Sequence, residues 1–198
     1  MNKVVTIGRE FGSGGREIGY KLAQRLGVPF YDKEIITYAT QEGVLSPDIL
    51  ENYEESVELG TFMHGAYNVF SLYHPFSIND RVFLAQQKVI KELAALGPCV
   101  IVGRCADYIL GDDAINVFVR ADLQTRIERK LAVAKDVAPK DMEAHVKSID
   151  KKRKQFYEHY TEHKWGRAEN HHLCIDTTHV SLDTAVEAIY AYVTHFDK

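Results

Sequence analysis

A glycine-rich segment between a buried strand and a helix constrains the fold of this chain more than any other feature. Val4–Ile7 is a β-branched run typical of a buried parallel strand. From Glu17 the apolar residues recur every four positions, as in a helix that stops at Gly27. The glycine-rich sequence Gly12-Ser13-Gly14-Gly15 lies between them. Such a loop forms either a tight turn without a ligand or a cradle whose backbone N–H groups and helix N-terminus bind phosphate.

The residues after the glycines carry charge. Arg16 is placed where a cation can reach a β- or γ-phosphate, so Gly12, Ser13, Gly14, Gly15, Arg16 and Glu17 are the predicted phosphate-binding segment. The match to the phosphate loop GxxxxGK[ST] is imperfect. Glu10 stands at the first Gly, Arg16 replaces Lys, and Glu17 replaces Ser/Thr. Arginine is a planar fork with a different phosphate geometry, and Glu17 can contact magnesium only as a carboxylate.

Strand and helix patterns alternate along the rest of the chain. Apolar runs predict strands at 28–31, 99–102, 114–119 and 172–176. Helical spacing predicts helices at 33–41, from Ser46-Pro47, from Asp80 to Leu96, and from Asp122, Pro139 and Leu182. In the helix from Asp122, we expect Leu123, Ile127 and Leu131 to face inward. The alternation predicts an α/β fold, a mainly parallel sheet with helices on both faces and ligands beyond the carboxyl ends of the strands.

Composition narrows the classes of partner. The 198 residues include 24 Lys+Arg and 28 Asp+Glu, a net charge of −4, so a global basic field for nucleic-acid binding is excluded. The length predicts a single domain. Apolar runs are too short to span a membrane and no signal-peptide layout is present, which predicts a cytoplasmic protein. The three cysteines have no metal or disulfide spacing, and we expect reduced thiols. His159 and His163 are interpreted as a solvated helix face rather than a metal site.

Several charged residues have both a structural and a functional interpretation. Arg104 follows a strand and either forms an ion pair or contacts a nucleotide. Asp32 either caps a helix or orders an acceptor or metal-bound water. Arg126, Arg129 and Lys130 share a helix face that is either solvated or directed at a phosphoryl group. Arg153, within a basic run, has the same two interpretations. Aromatic residues at 62–81, with Arg81, form a base-stacking site, a satellite cluster or a homo-oligomeric contact.

The chain resembles the cytidylate kinase-like family, a branch of the P-loop nucleoside monophosphate kinases. Its segment REFGSGGRE is similar to the family's loop, and the order and spacing of five further segments are also similar. These are Phe30-Tyr31-Asp32, Ile101-Val102-Gly103-Arg104, Ala121–Leu131, Ile149–Arg153 and Ile175–Thr178. One departure concerns Val102, which stands where the broader family often has an Asp before Gly-Arg.

The resemblance implies a three-layer P-loop kinase fold over 1–198, with an acceptor-binding insertion at about 43–81 and a helical lid at about 131–155. It implies ATP with Mg²⁺ as phosphoryl donor, Arg16, Arg126 and Arg129 as catalytic residues, and Thr177 beside the adenine. Asp32, Arg81, Arg104 and Arg153 would bind the acceptor, CMP, dCMP or another pyrimidine nucleoside monophosphate. A kinase for a different small metabolite and a non-catalytic nucleotide-binding regulator are the alternatives, because the loop does not specify the acceptor.

Overall fold

A computed structural model describes residues 3–32, 35, 78–133 and 137–196. Two compact units make up the chain: Met1–Asp32 with Ala94–Lys198, and Lys33–Leu93. The predicted helices at 33–41, apart from Ile35, and from Ser46-Pro47, together with the aromatic segment at 62–77, lie outside the described residues. None of the helices within the described ranges has the length and apolar character needed to cross a membrane. The boundaries of the acceptor insertion and of the lid stay predictions.

Five parallel strands form one sheet in the order β2-β3-β1-β4-β5. The strands are β1 (Val4–Arg9), β2 (Phe30–Tyr31), β3 (Val100–Val102), β4 (Ala114–Arg120) and β5 (Leu173–Asp176). The first strand pairs with β3 on one side and β4 on the other, in registers that align Thr6 with Ile101 and with Asn116. Because all five run the same way, their carboxyl ends meet at one edge, and the chain reverses its direction of travel across the sheet around β1.

Six helices lie within the described ranges. They are α1 (Gly15–Leu26), α2 (Ile78–Leu96), α3 (Ala106–Leu110), α4 (Leu123–Leu131), α5 (Met142–Tyr160) and α6 (Leu182–Thr194). Short 3-10 turns occupy Gly111–Asp113, Pro139–Asp141 and Ala168–Asn170. The predicted helix stop at Gly27 and the helix starts at Asp122 and Leu182 are confirmed, with Asp122 and Ser181 as the capping residues. The sequence missed α3, and α2 begins at Ile78, two residues before the predicted start at Asp80.

The two faces of the sheet have different partners, which confirms an α/β fold with helices on both faces. Alternate residues such as Val5 and Ile7 of β1 pack with α1 and α6 in one apolar core. On the other face, the Thr6 hydroxyl donates to Asn116 Oδ1 at 2.6 Å, and Asn116 Nδ2 donates to the backbone carbonyl oxygen of Asp107 in α3. Tyr157 of α5 donates to Asp107 Oδ2 at 2.7 Å, so α3 and α5 cover this second face.

The predicted inward face of α4 is wrong for Leu131, whereas Leu123 and Ile127 are half-buried. Arg126 is the buried residue of this helix at 9% exposure, whereas Leu131 is exposed. The reason is that α4 lies against the glycine loop, whose carbonyl oxygens and carboxylates need cationic donors more than apolar cover. Cys99 and Cys105 are buried thiols and Cys174 is exposed, so none forms a disulfide. His163 lies beyond the end of α5, and the described residues contain no cluster of metal-ligating side chains.

Candidate active site

The glycine loop links the end of β1 directly to the first turn of α1. Gly12 and Gly14 have φ of +84° and +86°, a left-handed conformation that residues with a side chain rarely adopt. Ser13 between them is fully buried, and its hydroxyl donates to the Glu10 carbonyl oxygen at 2.9 Å. The Ile18 N–H donates to the Gly14 carbonyl oxygen, so the helix begins at the loop itself. The loop therefore presents a helix N-terminus at the carboxyl edge of the sheet.

Arg129 and Thr177 fasten the loop from the far side. The Thr177 hydroxyl, which is fully buried, donates to the Ser13 carbonyl oxygen at 2.8 Å. Arg129 Nη1 donates to the Thr177 hydroxyl at 2.9 Å and to the Ser13 carbonyl oxygen at 3.2 Å. Its Nη2 donates to the Thr177 carbonyl oxygen at 2.7 Å. The donors of Arg129 are thus used to connect the loop with the end of β5.

Arg126 holds the front of the loop. Its Nε donates to the Ala121 carbonyl oxygen at 3.0 Å and its Nη1 to the Phe11 carbonyl oxygen at 3.2 Å and to the Asp150 carboxylate. Asp150 also accepts from the Phe11 N–H at 2.7 Å, which joins α5 to the loop. Glu10 lies 3.6 Å from Arg126 Nε, and burial raises the pKa of its carboxyl group.

Phe11 is the contact between the loop and the predicted lid. Lys130 Nζ lies 4.4 Å from the centre of its ring and the Arg153 guanidinium 5.4 Å from it, while the His145 ring meets it edge-on at 5.6 Å. Lys130, Arg126 and Arg129 therefore all direct their side chains at the loop, and the predicted shared helix face is confirmed. Burial, followed by the charge of Arg153, lowers the pKa of Lys130.

Four arginines, which we call the arginine cluster, lie near one another beside the loop, and two of them pair with one carboxylate. The members of the cluster are Arg9, Arg16, Arg104 and Arg153. Asp32, directly after β2, is 2.7 Å from Arg16 Nε and 3.5 Å from Arg9 Nη2. Arg153 Nη1 donates to the Arg9 carbonyl oxygen at 3.2 Å and lies 3.8 Å from Asp150 Oδ1. Burial lowers the pKa of Arg9 to about 9, and the charges of Arg153, Arg104 and Arg16 act in the same direction, against Asp32.

Arg104 sits in an unusual backbone turn. Gly103, Arg104 and Cys105 have φ of +73°, +60° and +55°, three successive left-handed residues after β3. A residue with a side chain pays about 1–2 kcal/mol to adopt this conformation. Strain of this kind persists where the surrounding structure fixes a side chain in a required position. Here the left-handed turn places Arg104 at the end of β3. The charge of Arg104 adds to burial in lowering the pKa of both Arg9 and Arg153.

Most predicted site residues come together at this edge, and Arg9 was missed. Each strand end contributes at least one residue to it, from Arg9 at the end of β1 to Thr177 after β5. Arg81 is exposed in the first turn of α2, within the other compact unit, and its role stays a prediction. Arg9 could have been found from alternation along β1, because it follows Val5 and Ile7 on the face that packs against α1.

Comparisons with known proteins bear on the family and the fold. The model of the cytidylate kinase-like family matches residues 4–179. An uncharacterized protein from Eubacterium ventriosum has a similar crystal structure, with 27% identity, 98% and 99% of the two chains covered and a TM-score of 0.71. No curated protein matches the chain.

More distant solved structures are kinases. Shikimate kinase from Bacteroides thetaiotaomicron is 13% identical, with 98% and 99% of the chains covered and a TM-score of 0.57. A gluconokinase from Sinorhizobium meliloti is 15% identical, with 97% and 91% covered and a TM-score of 0.57. At these identities they show the fold alone, the three-layer P-loop kinase fold. Because the family model matches most of its length, the chain belongs to the cytidylate kinase-like family.

Proposed function

We propose that this protein is a kinase that transfers the γ-phosphoryl group of ATP to a small acceptor, a pyrimidine nucleoside monophosphate such as CMP or dCMP. One observation carries the proposal. Among the described residues at the carboxyl edge of the sheet, the arginine cluster, Arg126, Arg129 and Lys130 gather beside the glycine loop, and the carboxylates of Glu10, Asp32 and Asp150 pair with four of these cations. Partly buried positive charge of this excess is stabilised by an anionic ligand.

The chemistry needs position and charge more than a covalent catalyst. An acceptor oxygen forms a bond to the γ-phosphorus while the bond from that phosphorus to the bridging oxygen breaks, and ADP leaves with the electron pair. Negative charge spreads over the transferring oxygens, and guanidinium groups neutralise it in a site fixed in advance. In this arrangement the arginine cluster contacts the phosphates. Arg126 and Arg129 act by positioning the loop, since their donors are engaged by loop atoms.

Magnesium is the ion that kinases of this fold use with ATP, and the side-chain oxygen atoms of Asp32, Glu17 and Ser13, among the described residues, already have partners within the protein. Asp32 is engaged by Arg9 and Arg16, and Glu17 lies 2.9 Å from Lys21 Nζ with its side chain directed to solvent. The Ser13 hydroxyl donates to the Glu10 carbonyl oxygen. A magnesium ion in the reaction would therefore be brought by the nucleotide phosphates. The role of Glu17 as a metal ligand stays a prediction.

The family's description supports the nucleotide acceptor, whereas the shared fold leaves other small acceptors open. The test is ADP formation from ATP and Mg²⁺ with CMP, dCMP, UMP, AMP and GMP, and with shikimate and gluconate, whose kinases share the fold. We expect selective turnover of CMP or dCMP. Selective turnover of gluconate or shikimate would show that the proposed acceptor is wrong and that the proposed kinase activity is right. ATP binding with no turnover of any acceptor would favour a nucleotide-binding regulator.

A matched pair of variants on α5 ties turnover to the site. Arg153→Met removes a member of the arginine cluster, and we expect kcat/KM to fall about 100-fold, as for loss of one charged donor to a reacting group. Lys147→Met removes an exposed cation on the same helix, whose ammonium group pairs with the exposed Glu143. We expect less than a twofold change in kcat/KM for Lys147→Met. Equal effects of the two changes would contradict the assignment of the site.

A further inference from the structure

We propose that Arg9, the last residue of β1, is the side chain that neutralises the donor phosphates at the glycine loop, with Arg16 in a secondary position. The proposal rests on the proposed function and assigns a role that the sequence pattern gave to Arg16. It follows from the path of the Arg9 side chain, from its exposure relative to Arg16, and from the charges around it.

The Arg9 side chain runs along the carboxyl edge of the sheet over two glycines. A Cβ on Gly15, the first residue of α1, would lie 2.5 Å from Arg9 Cβ. A Cβ on Gly103, the first residue after β3, would lie 1.7 Å from Arg9 Nη1. Real Cβ atoms do not approach this closely, so a Cβ at Gly15 would clash with the base of the Arg9 side chain and one at Gly103 would displace its guanidinium group. The side chain thus crosses from the start of α1, where the loop ends, to the turn that carries Arg104.

Arg9 and Arg16 share one carboxylate but differ in where they lie. Both pair with Asp32, Arg9 at 3.5 Å and Arg16 at 2.7 Å. The Arg16 side chain is 61% exposed, whereas that of Arg9 is 18% exposed. A charge that water surrounds is screened, and a charge in a partly dry site acts on a ligand at full strength. Of the two, Arg9 has the position from which neutralisation of a phosphate has the larger effect.

The surroundings of Arg9 call for an anion. Arg153 donates to its carbonyl oxygen at 3.2 Å, and Arg104 and Arg16 are near enough to disfavour its charge, with Asp32 as the opposing carboxylate. Burial also disfavours that charge. A phosphate group with two or three negative charges at this point would satisfy Arg9 and relieve the repulsion among the four guanidinium groups.

The first experiment compares Arg9→Met with Arg16→Met by calorimetric titration with ATP and Mg²⁺. Both changes remove one positive charge from the same carboxylate and keep an unbranched side chain. We expect the Kd for ATP to rise about 30-fold or more in Arg9→Met, the loss of a charge-assisted pair, and about threefold in Arg16→Met. Thermal unfolding of each variant without ligand verifies that it folds.

A second pair tests the same point with every charge retained. Gly103→Ala pushes the Arg9 guanidinium aside, whereas Gly27→Ala has an equivalent φ of +69° with nothing within 4 Å of the new Cβ. Both carry the backbone cost of a left-handed alanine, so their difference isolates the displacement of Arg9. We expect the Kd for ATP to rise at least about fivefold in Gly103→Ala relative to Gly27→Ala. This pair decides the matter if Arg9→Met does not fold.

The outcomes separate the two proposals. If the wild-type protein neither binds ATP nor transfers phosphate, both the proposed function and the proposed role of Arg9 are wrong. A wild-type protein that binds and transfers, with Arg9→Met as tight as wild type or no weaker than Arg16→Met, overturns the role of Arg9 alone. Equal Kd values for Gly103→Ala and Gly27→Ala overturn it in the same way.

Discussion

Two groups of arginines flank the glycine loop, and their partners differ. Arg126 and Arg129, on α4, spend their donors on loop and strand carbonyl oxygens and on Asp150. Arg9 and Arg153 lie in the arginine cluster, where burial and then neighbouring guanidinium groups, that of Arg104 among them, lower the pKa of both. The same residue type therefore does two jobs. An arginine whose N–H donors are bound within the protein holds the loop in place. An arginine in the cluster lies where positive charges are concentrated, and we expect it to bind an anion.

The difference predicts that stability and ligand binding separate between the two groups. Removing an arginine whose donors are used leaves buried carboxylates and carbonyl oxygens without partners, which costs free energy of unfolding. Removing one from the arginine cluster relieves repulsion among like charges and costs mainly affinity for phosphate. Three measurements test that separation.

The largest effect is expected from Arg126→Met. The change leaves Asp150 and Glu10 facing a partly buried site without their guanidinium, so we expect the free energy of unfolding to fall by about 3–5 kcal/mol. Urea unfolding measures it. Arg120→Met is the matched control, because Arg120 is 60% exposed and pairs with the exposed Asp176 at 3.4 Å. Its expected cost is below about 1 kcal/mol. Equal losses in the two variants would contradict a holding role for Arg126.

The second effect is stabilisation by an anion. Inorganic triphosphate at 100 times its wild-type Kd is expected to raise the free energy of unfolding by about 2.7 kcal/mol. In the double variant Arg9→Met/Arg153→Met a 100-fold weaker Kd would leave about 0.4 kcal/mol at the same concentration. Thermal unfolding with and without triphosphate measures both. An undiminished shift in the double variant would place the anion elsewhere on the protein.

The smallest effect is expected from Thr177→Val, which keeps the shape of a fully buried side chain and removes its hydroxyl. The Ser13 carbonyl oxygen loses a donor and Arg129 Nη1 an acceptor. We expect a loss of about 1–2 kcal/mol in the free energy of unfolding. Thr194→Val, at the exposed end of α6, is expected to change it by less than about 0.5 kcal/mol. If chemical denaturation gives the same value for both, the hydroxyl of Thr177 does not fasten the loop.

Much of the fold could be predicted because its signals are local. The β-branched run before Gly8, the four-residue spacing from Ile18 to Leu26 and the stop at Gly27 each depend on neighbouring residues. The five-residue helix at Ala106–Leu110 was missed because it is too short for periodicity. The burial of Arg126 in α4 was missed because partners that bury it lie more than 20 residues away, Asp150 among them.

Periodicity and contiguous motifs along the chain are sufficient to predict the alternation of strands and helices, the glycine loop at the end of β1 and the family, because each of these signals is local. Which cations lie together depends on how the elements pack. Arg9, Asp32, Gly103 and Arg153 are far apart in the chain, and the parallel sheet brings their strand ends and α5 to one edge. Spacing along the chain cannot show that Gly15 and Gly103 make room for Arg9, because these residues come together only when β1, β3 and α1 pack.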